Sequence, residues 1–161
     1  MTDDAALADL IAHRLGYLVK QAHLRVATLL TDALEPYGVH PRDLGVLSVI
    51  AADGAERSQN ELAAAIGMDR TTMVAVIDEL ERRGLVARRR SDRDRRRNVV
   101  TLTEAGTACL READRARVEA EASFLAPLDD AAAEAFVTAL RTLHLAHGTA
   151  PFPGHPGPPA G

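Results

Sequence analysis

Apolar residues recur at helical spacing over residues 4–35, at Leu7, Leu10, Ile11, Leu15, Leu18, Val19, Ala22, Val26, Leu29, Leu30, Ala33 and Leu34. Only Gly16 interrupts the run, and no proline occurs before Pro36. The spacing predicts one helix of about 30 residues, about 45 Å long at 1.5 Å per residue. A stripe that long exceeds what one small domain can cover, so part of it is expected to meet another chain. A short connection, Pro36-Tyr37-Gly38-Val39-His40, precedes Pro41, which suits the first position of a second helix. That helix carries Leu44, Leu47, Val49 and Ile50 and runs to about Ala52, where Asp53-Gly54 stops it.

The pattern then changes. Residues 58–84 read SQNELAAAIGMDRTTMVAVIDELERRG. Ser58 and Glu61 have the spacing of a capping box, which satisfies orphan amides at a helix start. The short helix Gln59–Ile66 should stop at Gly67, where positive φ permits a tight turn. Asp69 caps a further helix from 70 to about 83, closed by Gly84. Leu62, Ile66, Met68, Met73, Val76 and Ile77 are apolar where two crossed helices pack, and Ala63 is small at the closest approach. Two helices joined by a short glycine-containing turn form a helix-turn-helix. In its second helix, Arg70, Thr71, Thr72 and Ala75 are small or polar along the half that would enter a major groove.

The stretches 85–90 and 98–102 read as two strands around a charged loop, 91–97, and a hairpin placed directly after such a helix is a wing. Thr103 is the expected N-cap of a helix running to about Leu125. Pro127 separates it from a last helix over 129–147. Residues 148–161 are rich in proline and glycine and are expected to be disordered. No internal repeat is present.

Charge sharpens this reading. The chain has 161 residues, 47% apolar, and a net charge of −4. Between Arg82 and Arg97 stand nine arginines and two acids, or +7, and the remainder carries 10 basic and 21 acidic residues, or −11. A concentrated positive segment on an acidic body can meet phosphates while the rest of the surface repels them. Arg90, Arg93, Arg95, Arg96 and Arg97 are candidate DNA contacts, the wing tip reaching the backbone or a narrow minor groove. Asp94 would hold a neighbouring arginine in a fixed rotamer.

The stretch ELAAAIGMDRTTMVAVIDELERRGLV followed by DRRRNVVTLTEAG resembles the signature of the MarR family of bacterial regulators, including an Asp-x-Arg element at Asp94-Arg95-Arg96 and the pair Leu102-Thr103. The resemblance implies a mainly α (α+β) homodimer. Its N- and C-terminal helices, 4–36 and 103–147, would intertwine, and a winged helix-turn-helix lobe over 41–102 would take half of a palindromic duplex site. It further implies that Arg96 is the wing-tip minor-groove arginine, with Asp94 as its orienting partner. A small aromatic or phenolic effector between the dimer helices and the lobe is also implied, for which Tyr17, His23, Arg25, Tyr37 and His40 are candidate contacts. Where many relatives carry a polar or basic residue one turn along the recognition helix, this chain has Val74 and Ala75, which suit thymine methyl groups.

Other chemistries find less support. The six histidines lack zinc-like spacing, so neither a metal nor a cofactor is expected. Phosphate loops and activated-nucleophile motifs are missing, so no enzyme is expected. Aromatics at 3% argue against single-strand or RNA binding. Cys109, beside Arg111, is read as a buried small hydrophobe in preference to a redox sensor. The acidic start, the lack of an apolar run of about 18 residues and the single cysteine suggest a cytoplasmic protein with no membrane partner. A winged helix that docks an acidic protein is the alternative function.

Overall fold

Local caps and turns set the element boundaries. The computed structural model describes residues 13–147. The first helix, α1, spans Leu15–Leu34 and begins after an extended Arg14 that offers no side-chain cap. The helix is therefore 20 residues, about 30 Å, and shorter than the periodicity predicts; residues 4–12 of the expected helix lie outside the described residues, as does the 148–161 tail. A 3-10 turn, Glu35–Tyr37, and Gly38 at φ 65° lead into α2, Pro41–Ala51. The His40 amide donates to Asp43 Oδ2 at 3.2 Å, which caps α2 with a carboxylate 5% exposed.

The predicted capping box opens α3, Gln59–Ile66. The Ser58 amide donates to Glu61 Oε2 at 2.7 Å, and the Glu61 amide donates to Ser58 Oγ at 3.4 Å. Gly67 turns at φ 71°, and Asp69 Oδ1 accepts the Thr72 amide at 2.9 Å to start α4, Arg70–Arg82. Strands β1, Val86–Arg90, and β2, Asn98–Leu102, pair antiparallel with Val86 opposite Leu102 and Arg90 opposite Asn98. An isolated bridge between Arg57 and Val100 adds a short third edge. Thr103 caps α5, Glu104–Leu125, by accepting the Gly106 amide at 2.9 Å, and α6 covers Asp130–His147.

The core lies in the lobe. Leu34, Leu47, Leu62, Met73, Ile77, Leu80, Val86 and Val99 are fully buried, drawn from the end of α1, from α2, α3 and α4, and from both strands. Each such side chain stabilises by about 1.5–3 kcal/mol. The architecture is mostly helical with one two-stranded sheet, a winged helix fold. Outside the lobe, α1 packs along α5, and α6 buries none of its residues, its contact with α5 including Phe124 against Phe136 at 6.5 Å. No described helix is long and apolar enough to cross a membrane.

Candidate nucleic-acid interface

On α4 the apolar side, Met73, Val76, Ile77 and Leu80, is buried against the lobe. The opposite side exposes Arg70, Thr71 and Ala75. Thr72 is half-buried, and its hydroxyl donates to Asp69 Oδ2 at 2.5 Å, so its proton serves the cap and its lone pairs are left to accept. Val74 is half-buried beside exposed Ala75, so these two positions of α4 offer methyl groups and no polar side-chain atom.

The arginines divide into two sets. Arg88 on β1 pairs with Asp78 and Glu81 of α4, and Gln59, with its amide oxygen turned inward, accepts from Arg88 Nε and Nη2 at 2.7 and 2.6 Å. That guanidinium therefore joins α3, α4 and the wing. Arg89 pairs with Glu56 at 2.9 Å and Asp92 at 3.1 Å, Arg82 with Glu79 at 2.6 Å, and Arg97 with Glu61 at 2.5 Å. Arg97, a candidate DNA contact by sequence, is thus already engaged by the α3 capping box. Glu61 is held below the usual carboxylate range first by the Ser58 amide and hydroxyl and then by Arg97. In the second set, Arg90 donates only to the Arg95 carbonyl, at 3.1 Å. The guanidiniums of Arg70, Arg93, Arg95 and Arg96 are exposed and have no partner among the described residues.

Asp94 has a different role from the expected one. Its Oδ1 accepts the main-chain amide of Arg96 at 3.0 Å and makes no ion pair with the guanidinium, so it shapes the loop backbone. Sequence reasoning missed a polar groove between α3, α4 and β2, lined by Gln59, Asn60, Arg70 and Asn98. Polar residues at the start of α3 were its signal. It also missed Glu56, which lies before the motif and carried none.

The five candidate effector contacts do not converge within one protomer. Tyr17, His23 and Arg25 are exposed on α1, where His23 and Arg25, two residues apart, point about 200° apart. Tyr17 lies about 25 Å along the helix from Leu34, beyond which Tyr37 and His40 sit. Tyr37 is half-buried against the core with its carbonyl accepting Arg83 Nη2 at 3.3 Å, and His40 is the exposed residue preceding α2. Cys109 is half-buried against the core, and burial raises its thiol pKa, partly offset by the charge of Arg83. Arg111 pairs with Glu112 at 3.2 Å, so it is not the charge acting on the thiol.

The family model described as MarR family matches residues 37–97, from the turn before α2 to the end of the wing loop. A solved structure of the transcriptional repressor CouR bound to a 23-mer DNA duplex superposes with a TM-score of 0.76 at 32% identity, covering 84% of this chain and 96% of that one. The chain belongs to the MarR family. A second structure, CouR from Rhodococcus jostii RHA1 bound to p-coumaroyl-CoA, superposes with a TM-score of 0.73 at 26% identity over 87% of this chain and 96% of that one. In sequence, this MarR-family chain is 36% identical over 107 residues to a putative transcriptional regulatory protein for the hcr operon of Thauera aromatica. That match covers 66% of this chain and 64% of the relative, just under two thirds of its length.

Proposed function

We propose that this MarR-family protein is a homodimeric, sequence-specific double-stranded-DNA-binding transcriptional repressor acting on a palindromic operator. The observation that carries the reading is the unneutralised set Arg70, Arg90, Arg93, Arg95 and Arg96, displayed along one helix start and one hairpin tip of an otherwise acidic protein. Each lobe takes one half-site: exposed Arg70, Thr71 and Ala75 face the major groove, and the wing arginines follow the backbone into the adjacent minor groove. The DNA-bound CouR structure supports this use of the fold. The half-buried apolar stripe of α1 and the uncovered α6 supply the dimer surface. A small effector acting between those helices and the lobe fits the ligand-bound CouR structure, with Tyr17, His23, Arg25, Tyr37 and His40 as contacts assembled across two protomers.

Selection from random duplexes at two salt concentrations tests the reading. Enrichment of a palindrome with half-sites about one turn, about 34–36 Å, apart is the expected result. Binding without enrichment overturns the sequence-specific reading. No binding overturns DNA recognition and turns attention to an acidic protein partner for the wing.

A further inference from the structure

The wing loop offers no apolar side chain to hold it: residues 92–98 read DRDRRRN and are all exposed. Its anchor is polar. Ser91, 2% exposed, is one of two buried polar residues among those described, the other being the α2 cap Asp43. The Ser91 hydroxyl donates to Glu56 Oε2 and accepts the amides of Arg93 and Asp94, each at 3.1 Å. The second oxygen of Glu56 accepts the Asp92 amide at 3.2 Å and pairs with Arg89 Nη2 at 2.9 Å. The end of β1 and the start of the loop are thus fastened to one carboxylate, which stands 35 residues before Ser91 in the chain.

The segment that carries Glu56 is itself fixed. The Val100 amide donates to the Arg57 carbonyl at 3.0 Å, and Arg57 Nη1 donates to the carbonyls of Val49 and Ala52 at 3.1 and 3.2 Å. Glu56, only 14% exposed, is therefore a rigid post joined to the end of α2. Its carboxyl is held at about 2, first by the Ser91 hydroxyl, then by the Asp92 amide and Arg89.

We propose that Glu56 is the positioning residue of the wing, latching the loop through Ser91, Asp92 and Arg89 so that Arg93, Arg95 and Arg96 meet the DNA backbone in register. The inference rests on the DNA-binding reading above. It has a sign that simple electrostatics does not share. Removing an acid near phosphates should tighten binding by charge alone, whereas removing the latch weakens it.

The test measures affinity of the full-length protein for a random-sequence duplex pool, and for any duplex enriched from it, across a salt series. Compared are wild type, Glu56→Ala, Ser91→Ala, the triple variant Arg93→Ala/Arg95→Ala/Arg96→Ala, and that triple combined with Glu56→Ala. Glu56→Ala and Ser91→Ala are each expected to weaken binding and to flatten the salt slope by about 0.9 for every phosphate no longer neutralised. The combined variant is expected to match the triple variant, because the latch acts only through those arginines. Loss of folded protein would lower the active fraction without changing the slope, and Ser91→Ala serves if Glu56→Ala does not fold. Tighter or unchanged binding by Glu56→Ala, or a further loss in the combined variant, overturns the latch while leaving DNA binding intact. A wild type that binds no duplex overturns both.

Discussion

At the residue scale, Gly106 shows how little room the fold leaves at one joint. A Cβ built there would lie 1.8 Å from the Leu85 carbonyl oxygen, which also accepts the Thr103 amide at 3.1 Å. The obstacle is the Leu85 main chain, so no side-chain rotamer relieves the clash. Gly106→Ala is expected to destabilise by at least about 1–3 kcal/mol, read as a lower urea midpoint at an unchanged m-value. Glu56 gives a prediction in acid. Its folded pKa of about 2 lies below the ordinary 4.5, so its contribution is fully present above 4.5 and fades as pH falls toward 2. The stability gap between wild type and Glu56→Gln should be constant near neutrality and narrow below pH 4.5 in thermal melts. A gap that widens in acid contradicts the assignment. Neither residue announced its role in the sequence. Gly106 reads as one more glycine near a helix start, and Glu56 meets Ser91 only after the chain has folded back across a whole helix-turn-helix.

At the scale of elements, the caps were legible because their chemistry is local. Ser58 with Glu61, Gly67, Asp69 and Thr103 each act within a few residues, and each starts or stops a helix where the sequence places it. Asp69→Ala removes acceptors for the Thr72 amide and hydroxyl. It is expected to cost about 1 kcal/mol in chemical denaturation and to loosen the exposed start of α4, seen as faster amide exchange there. The wing was legible as a hairpin but not in its wiring. Sequence counts nine arginines around it without telling that Arg88, Arg89 and Arg97 are claimed by Asp78, Glu81, Glu56 and Glu61. Asp94 likewise follows the expected position but bonds main chain, a choice between two donors of Arg96 that spacing does not decide. The joint at Gly84, where the carbonyl accepts Thr103 Oγ1 at 2.6 Å, ties the wing base to α5.

At the scale of the whole molecule, α1 and α6 leave apolar surface uncovered: Val19 is 52% exposed, Leu140 45% and Leu143 53%. Such a surface is what the proposed dimer would cover. The wild type is expected to sediment at twice its 17.2 kDa chain mass, and Leu140→Asp/Leu143→Asp to approach the chain mass on dilution. A wild type at chain mass throughout would remove the dimer. The sequence pattern predicts an apolar stripe on the first helix, and exposed apolar residues are found there, although the described helix has 20 residues where periodicity predicts about 30, because periodicity does not mark a helix start such as the one after Arg14. The internal pairing of arginines bears finally on how such a protein would search a genome. Every unpaired cation lengthens its stay on irrelevant sequence, and competing sites number on the order of 10⁶–10⁹. If the protein binds DNA as proposed, cancelling Arg88, Arg89 and Arg97 within the lobe and keeping the body acidic would shorten those idle visits. The remaining tip arginines would then add most where the grooves fit, so that speed of search and fidelity of stopping would be set by the same few acids.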